Sequence, residues 1–440
     1  MSTAKGRLTL ILVFLFLYVP FLTTNGFQLA DKQNIDLPSF YFASDVTFNQ
    51  HESPYRDNAW QETQKQLQQT VFPYLYPPPS LLLFMPFSWF SYEWVKTASL
   101  IVNHLSLLLL MYLLLFRIFR LPWSLKPDSR SESQSLQWLI MPVLVLYTLQ
   151  FHPVAVTLGH GQINLVVMVQ ICLFWVWLRE ARTPALTAAP LALAIILKTY
   201  PAIFIPLLLV RRQYRIAAWT LGYSVALTLV SLVVLPNGIW SDWIRFVAPT
   251  GGYAEVPFHL FSPAMPWNQS INGFTARLFL HPDYALALNP VAARVVPTML
   301  AGLIVGLLVW FGRRMNNRPQ RRYVNEEIAT VLLAIFLIAP LSWEHHLVFV
   351  LPAALLAVVH IFRGRMSVYV AIPVGLAAGI LAWPLSFLFR IEGGGLASLL
   401  VSLKFYSTVA LLIYFLTRLW QTEPVVKPSK GRLPATGELG

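Results

Sequence analysis

From Leu8 to Leu419 the chain is a succession of apolar runs separated by short polar or proline-containing breaks. A helix crossing a hydrocarbon core needs about 20 mostly apolar residues. Backbone in lipid must satisfy its own hydrogen bonds, so helices are the expected spanning elements. The pattern predicts about twelve crossings, near 8–27, 95–116, 138–158, 163–178, 185–198, 200–210, 216–236, 291–312, 327–342, 347–361, 367–389 and 396–419. Two stretches break it. Residues 183–210 lie between cytoplasmic arginines but are too few for two full spans, which predicts a broken hairpin bending near "KTYP" (198–201). "PYLYPPPSLLLFMPFSWFS" (73–91) is apolar but short, which predicts a half-depth or surface helix on the outside. Irregular backbone at membrane depth survives only against protein or a watery cavity, so both breaks point to a cavity.

The crossings leave two long outer loops, about 28–76 and 237–290, rich in aromatics and expected to fold. The expected organisation is an all-α integral membrane protein, with one transmembrane domain over 1–420 and a polar, disordered cytoplasmic tail over 421–440. Composition agrees: 56% of residues are hydrophobic and 12% charged, against about 25% charged in soluble domains, and mean hydropathy is +0.59. The net charge of +13 does not indicate nucleic acid. Its cations cluster in "RRQYR" (211–215) and "RRMNNRPQRR" (313–322), on the predicted cytoplasmic side together with both termini, as the positive-inside rule expects. Lys5 and Arg7 precede a first run with no small-x-small cleavage site, which reads as a retained signal anchor. A single cysteine, Cys172, excludes an internal disulfide.

Unusual polar groups gather at the outer ends of the predicted helices, where ionisable residues are costly and tend to be functional. Asp36 and Asp45 flank the aromatics of "NIDLPSFYFASD" (34–45). Either aspartate is anionic at neutral pH and can act as a general base; residue type leaves the two level, and both also fit a solvated loop. Lys198 ends an otherwise uncharged run, where an ammonium suits a phosphate and equally suits snorkelling to the interface. "GHGQIN" (159–164) offers the amides of Gln162 and Asn164 to sugar hydroxyls, although a helix-connecting turn explains it as well. Tyr74 and Tyr76 precede Pro77–Pro79 as a possible stacking surface for a sugar or prenyl chain. Trp343, His345 and His346 lie in "WEHH" (343–346), and Asn268, Gln269 and Arg277 in "WNQSINGFTAR" (267–277). No metal-binding spacing and no nucleotide-binding glycine loop is present.

Six segments in order, "DLPSFYFASD…SPY", "YPPPSLLLFMP", "GHGQINLVVMVQ", "AIILKTYPAIFIPLLLVRR", "NQSINGFTAR" and "APLSWEHHLVFVLPA", resemble glycosyltransferase family 87 of the GT-C superfamily across roughly residues 30–350. The resemblance implies a GT-C multi-spanning bundle in the cell membrane with its active site on the extracytoplasmic face. It implies sugar transfer, with inversion, from a polyprenyl-phosphate donor to a glycolipid or glycan hydroxyl. The lipid-linked sugar is then a co-substrate, and no cofactor or obligatory metal is implied. Counting back from Pro54-Tyr55 places the family's acid on Asp36 and one paired aromatic on Tyr41. Pro38 and one extra residue before Pro54 depart from the pattern, and a shifted register puts the acid at Asp45. Lys198, with Arg277, Tyr76, Gln162 and Asn164, is expected on the donor phosphate. Tyr41, Asp45, Tyr74, Asn268, Gln269 and Trp343 are expected near sugar or acceptor, and His345 or His346 near acceptor or phosphate. The competing expectation is a secondary transporter or flippase for a sugar or lipid-linked sugar; it explains broken helices but needs neither folded outer loops nor a base.

Overall fold

The structure, a computed structural model, describes residues 12, 14–27, 35–56, 59–68, 70–122, 139–280, 288–316, 323–384 and 396–421. The first eleven residues, Asp57, most of the 117–137 connection and the tail beyond 421 lie outside the described residues. Every regular element among the described residues is helical. The principal helices are Phe14–Asn25 (α1), Leu37–Phe48 (α2), Tyr92–Tyr112 (α3), Ile140–Gln150 (α4), His152–His160 (α5), Asn164–Glu180 (α6), Pro184–Leu197 (α7), Phe204–Val210 (α8), Tyr214–Val234 (α9), Ile271–Phe279 (α10), Pro290–Met315 (α11), Val324–Ile338 (α12), Leu351–Phe362 (α13), Val368–Ala382 (α14) and Leu403–Trp420 (α15).

The helices fall where the apolar runs fall, and their breaks have local causes. Pro153 lacks the amide that would continue α4, so α4 and α5 meet at an angle of 43°. Beyond Leu197 the chain extends at Lys198 (φ −147°, ψ 128°), turns through the 3-10 segment Tyr200–Ile203 and returns as α8. Residues 78–89 form three short turns, Pro78–Ser80, Leu81–Phe84 and Met85–Trp89, interrupted by Pro86. By length and composition, three helices among the described residues are long and apolar enough to cross a membrane: Tyr92–Ile118, Tyr214–Val234 and Pro290–Met315. Counting the bent α4–α5 pair as one span makes four.

Burial separates the helices into two classes. α6, α12 and α13 are buried almost all round, as a helix apolar on every side must be. On α9, α11 and α14 large apolar side chains such as Val233, Met299 and Tyr369 stand exposed. An apolar belt of this extent would be aberrant on a soluble surface, and lipid is its natural cover; the protein is an all-helical membrane protein. Lipid tails and a protein core are similarly apolar, so packing and hydrogen bonds between helices hold such a bundle together. Trp175 Nε1 donates to Asn325 Oδ1 (3.0 Å), and Tyr147 Oη to Ala378 O (2.7 Å). Gly312 lets α11 approach α8 so closely that a Cβ would meet Val210 at 2.8 Å. The end of α5, the start of α6, the ends of α7 and α12 and the start of α2 converge on one end of the bundle.

Candidate active site

Asp36 is the N-cap residue of α2, yet its carboxylate does not cap the helix. Pro38, read in the sequence as an interruption, occupies the first turn of α2, where a missing amide costs nothing. Against this turn packs Gly161, which ends α5 at φ +67° and lies so close to α2 that a Cβ would come within 2.5 Å of Leu37 Cβ. Only glycine accepts both that conformation and that contact. The Asp36 amide then donates to His160 O (3.0 Å), and Asp36 Oδ2 comes to 3.4 Å from His160 Nδ1. Both of these side-chain atoms are buried and lack a hydrogen-bond partner among the described residues. Burial alone would raise the Asp36 pKa; the adjoining His160, helped by His345 and Lys198, outweighs it and holds the carboxyl below its ordinary value.

His345 follows at once, its ring centroid 5.2 Å from that of His160 and 4.3 Å from that of His346. Its backbone carbonyl accepts from Asn164 Nδ2 (3.0 Å) and Thr157 Oγ1 (3.2 Å). Asn164 spends its other end on Lys198, whose Nζ donates to Oδ1 at 2.6 Å. One amide therefore fixes both the histidine loop and the lysine. Lys198 Nζ lies 5.7 Å from the Tyr76 ring centroid, and Tyr76 Oη is 3.2 Å from the amide of Gln162. The Trp343 amide donates to His346 Nδ1 (3.2 Å). Burial, first among the causes, pushes both histidines well below the usual imidazole pKa, with the cationic surroundings adding to it, so both are neutral at pH 7.

Two cavities meet here. One, about 870 Å³ with its mouth, is lined by Asp36, Tyr76, Gln162, Lys198, Tyr200 and His346. The other, about 1410 Å³ with its mouth, takes in Thr70, His160, Trp267 and Glu344. Ile35, Phe72, Trp343 and His345 line both. The first thus presents a cation and amides, the second aromatics and imidazole, with the Asp36–His160 pair at their junction. Asp36, His160 and His345 also bring one ligand atom each to within 4.8 Å of one another, a spacing able to take a cation.

Other residues named from the sequence stand elsewhere. Asp45 accepts from Asn49 Nδ2 (2.7 Å) and Gln50 Nε2 (2.9 Å) at the exposed end of α2, outside both cavities. Tyr41 packs on Tyr92, and buried Tyr74 pairs its hydroxyl with Ser80 (2.5 Å). Asn268 accepts the Ser342 amide (3.0 Å) and donates to Pro263 O and Pro340 O. Gln269 ties Pro266 O and Val401 O to the Phe405 amide. Arg277, fully buried, holds Met265 O, Asn268 O and Ser402 Oγ. These three form a platform beneath the "SWEHH" segment and line neither cavity.

The sequence reading did not single out His160, Trp267 or Tyr200, nor the buried cluster of Glu344 with His152 and Lys404. His160 was in view within "GHGQIN", masked by the glycines around it. Glu344 Oε1 lies 3.0 Å from His152 Nδ1 and pairs with Lys404 Nζ. Burial would raise the Glu344 pKa, and the His152 hydrogen bond and Lys404 charge instead bring it down to about 2.

Residues 74–340 match the family model described as glycosyltransferase family 87. Two relatives, from Mycobacterium tuberculosis and Mycolicibacterium smegmatis, are each named polyprenol-phosphate-mannose-dependent alpha-(1-2)-phosphatidylinositol mannoside mannosyltransferase. The first is 29% identical over 64% of this chain, the second 28% identical over 74% of it. The matched stretches span 61% and 69% of those relatives' own lengths. Tyr76, His160, Gln162, Lys198 and Trp267 lie inside the matched region, while Asp36 precedes it and the histidine pair follows it, and a match over more than half of the sequence settles the lineage: the chain belongs to glycosyltransferase family 87.

Proposed function

We propose that this membrane protein transfers a mannosyl group from polyprenyl-phosphate-mannose to a hydroxyl of a glycolipid or glycan. The reaction runs with inversion at the extracytoplasmic face of the cell membrane. The observation that carries the reading is the position of Asp36. Its unbonded carboxylate oxygen stands where a cavity holding Lys198 meets one lined by Trp267 and Trp343. The donor phosphate sits beside Lys198, with its prenyl tail along the apolar entry, and the acceptor sugar stacks in the aromatic chamber.

In the reaction the acceptor oxygen forms a bond to the anomeric carbon while the bond from that carbon to the phosphate oxygen breaks. The electron pair leaves with polyprenyl phosphate, and the acceptor proton passes to Asp36. Lys198 stabilises the charge that grows on the departing phosphate, and charge placed where charge develops is commonly the largest catalytic contribution. His160 and His345 orient the carboxylate, with neutral His345 free to bond the acceptor. No metal is needed in this scheme, in which Asp36 takes the proton and Lys198 meets the charge on the phosphate. The test is reconstitution in liposomes with radiolabelled polyprenyl-phosphate-mannose and a mannolipid acceptor. Labelled product with equimolar polyprenyl phosphate, unchanged by EDTA, is expected; no transfer, or loss of transfer on chelation, would overturn the reading.

A further inference from the structure

At the end of the bundle away from Asp36 a third cavity, about 1330 Å³ with its mouth, opens between helices. Its place follows from chain direction. α6 runs from Asn164 beside Lys198 to Leu178 in this cavity. α7 returns from Pro184 to the active-site end, α8 comes back to it, and α12 departs from it at Val324. Its inner wall is apolar, with Phe174, Phe204 and Ile328, while Arg182, Arg211, Arg212 and Arg215 line its outer part. Arg211 is buried and already engaged, with Glu327 Oε2 at 3.2 Å and Asn316 Oδ1 at 3.1 Å. Arg182 leans on Glu180 at 3.3 Å. Arg212 and Arg215 are exposed and make no side-chain hydrogen bond or ion pair among the described residues. Glu327 Oε1, also lining the cavity, is a buried acceptor without a hydrogen-bond partner among the described residues.

Arginines placed only to fix topology need no cavity and leave no unmet acceptor beside them. Here two unengaged guanidinium groups call for an anion, and one buried carboxylate oxygen lining the same cavity calls for a donor. The mouth opens beside Tyr214 at the start of α9, whose exposed Trp219, Leu221 and Val225 lead along the lipid-facing surface. Basic pockets between membrane helices are suited to phospholipid head groups. We propose that this cavity binds a phospholipid of the leaflet opposite the active site. Its phosphodiester lies on Arg212 and Arg215, a head-group hydroxyl or ammonium donates to Glu327, and its acyl chains lie along α9. The site is separate from the donor and acceptor chambers and does not depend on their assignment.

Native mass spectrometry of the detergent-purified protein, titrated with phosphatidylglycerol, phosphatidylethanolamine or phosphatidylcholine, reads this out. The first two carry a donor beyond the phosphate and are expected to bind at least tenfold more tightly than phosphatidylcholine, which does not. Replacing both arginines by glutamine, R212Q with R215Q, leaves only exposed positions changed. It should weaken binding of both lipids at least tenfold. Equal binding by the double variant, or by phosphatidylcholine, would overturn the proposal. Millimolar inorganic phosphate is expected to displace neither lipid; displacement would identify a free phosphate site and overturn the lipid assignment.

Discussion

Replacing Asp36 by asparagine keeps shape and volume and removes the charge that would accept the proton. The carboxylate neither caps α2 nor accepts a hydrogen bond at Oδ2, and the Asp36 amide remains bonded to His160 O. The fold should therefore be retained, with a single cooperative melting transition as in the parent. A positioned general base contributes about 10²- to 10⁴-fold, which at ~1.36 kcal/mol per factor of ten is about 2.7 to 5.4 kcal/mol of barrier. The loss should fall on kcat and leave KM for the donor within a few-fold, because Lys198 and Tyr76 stay in place. Initial rates of labelled mannose transfer in liposomes, with Asp45→Asn alongside, measure it. The carboxylate of Asp45 is engaged by Asn49 and Gln50, so that variant should transfer at close to the parent rate. An Asp36→Asn protein within about threefold of the parent, or an Asp45→Asn protein equally inactive, would refute the reasoning.

Lys198→Met should lower kcat about 10²- to 10³-fold, comparable with losing one preorganised group at a site of developing charge; unchanged single-turnover rates would remove the lysine from that role. Glu344→Met should destabilise the protein by about 3–5 kcal/mol, because it leaves Lys404 as a buried unpaired charge, while adding Lys404→Met should restore most of the melting temperature. His345 and His346 are neutral in the fold and titrate near 6.5 when unfolded. The unfolded chain therefore binds more protons below that value, and stability should be full above about pH 6.5 and fall toward pH 5. Asp36 and Glu344, whose pKa values are depressed, keep their contribution above the ordinary carboxylate range and lose it as pH falls from that range toward their lower folded values. Melting curves in detergent at pH 7.5 and 5.5 check this, and replacing both histidines by glutamine should flatten the slope.

Much of the helical layout was legible because runs of leucine, valine and alanine have one stable form in lipid, and prolines and lysines mark where it fails. The site was legible only in part. Asp36 and Asp45 look alike as letters, and only folding reveals that Asn49 and Gln50 engage the second and leave an oxygen of the first unbonded. Asn268, Gln269 and Arg277 have the composition of a sugar-binding segment. Their hydrogen bonds instead go to carbonyls and a hydroxyl around 263–268, 340 and 401–402, because irregular backbone at this depth must find partners within the protein. A sequence shows that a polar group is present; it does not show whether its lone pairs and protons are already committed.

The cluster of Glu344, His152 and Lys404 also sets an order for assembly. Lys404 lies 60 residues after Glu344, an interval of about 3 to 12 s at ordinary rates of synthesis. During it the nascent acid has His152, made long before, as its available partner. Lys404 arrives with the last helix and closes the cluster, which makes α15 the fastening element of the outer platform. A chain stopping before residue 404 would hold every residue that lines the two cavities around Asp36 and would leave Glu344 without its Lys404 cation.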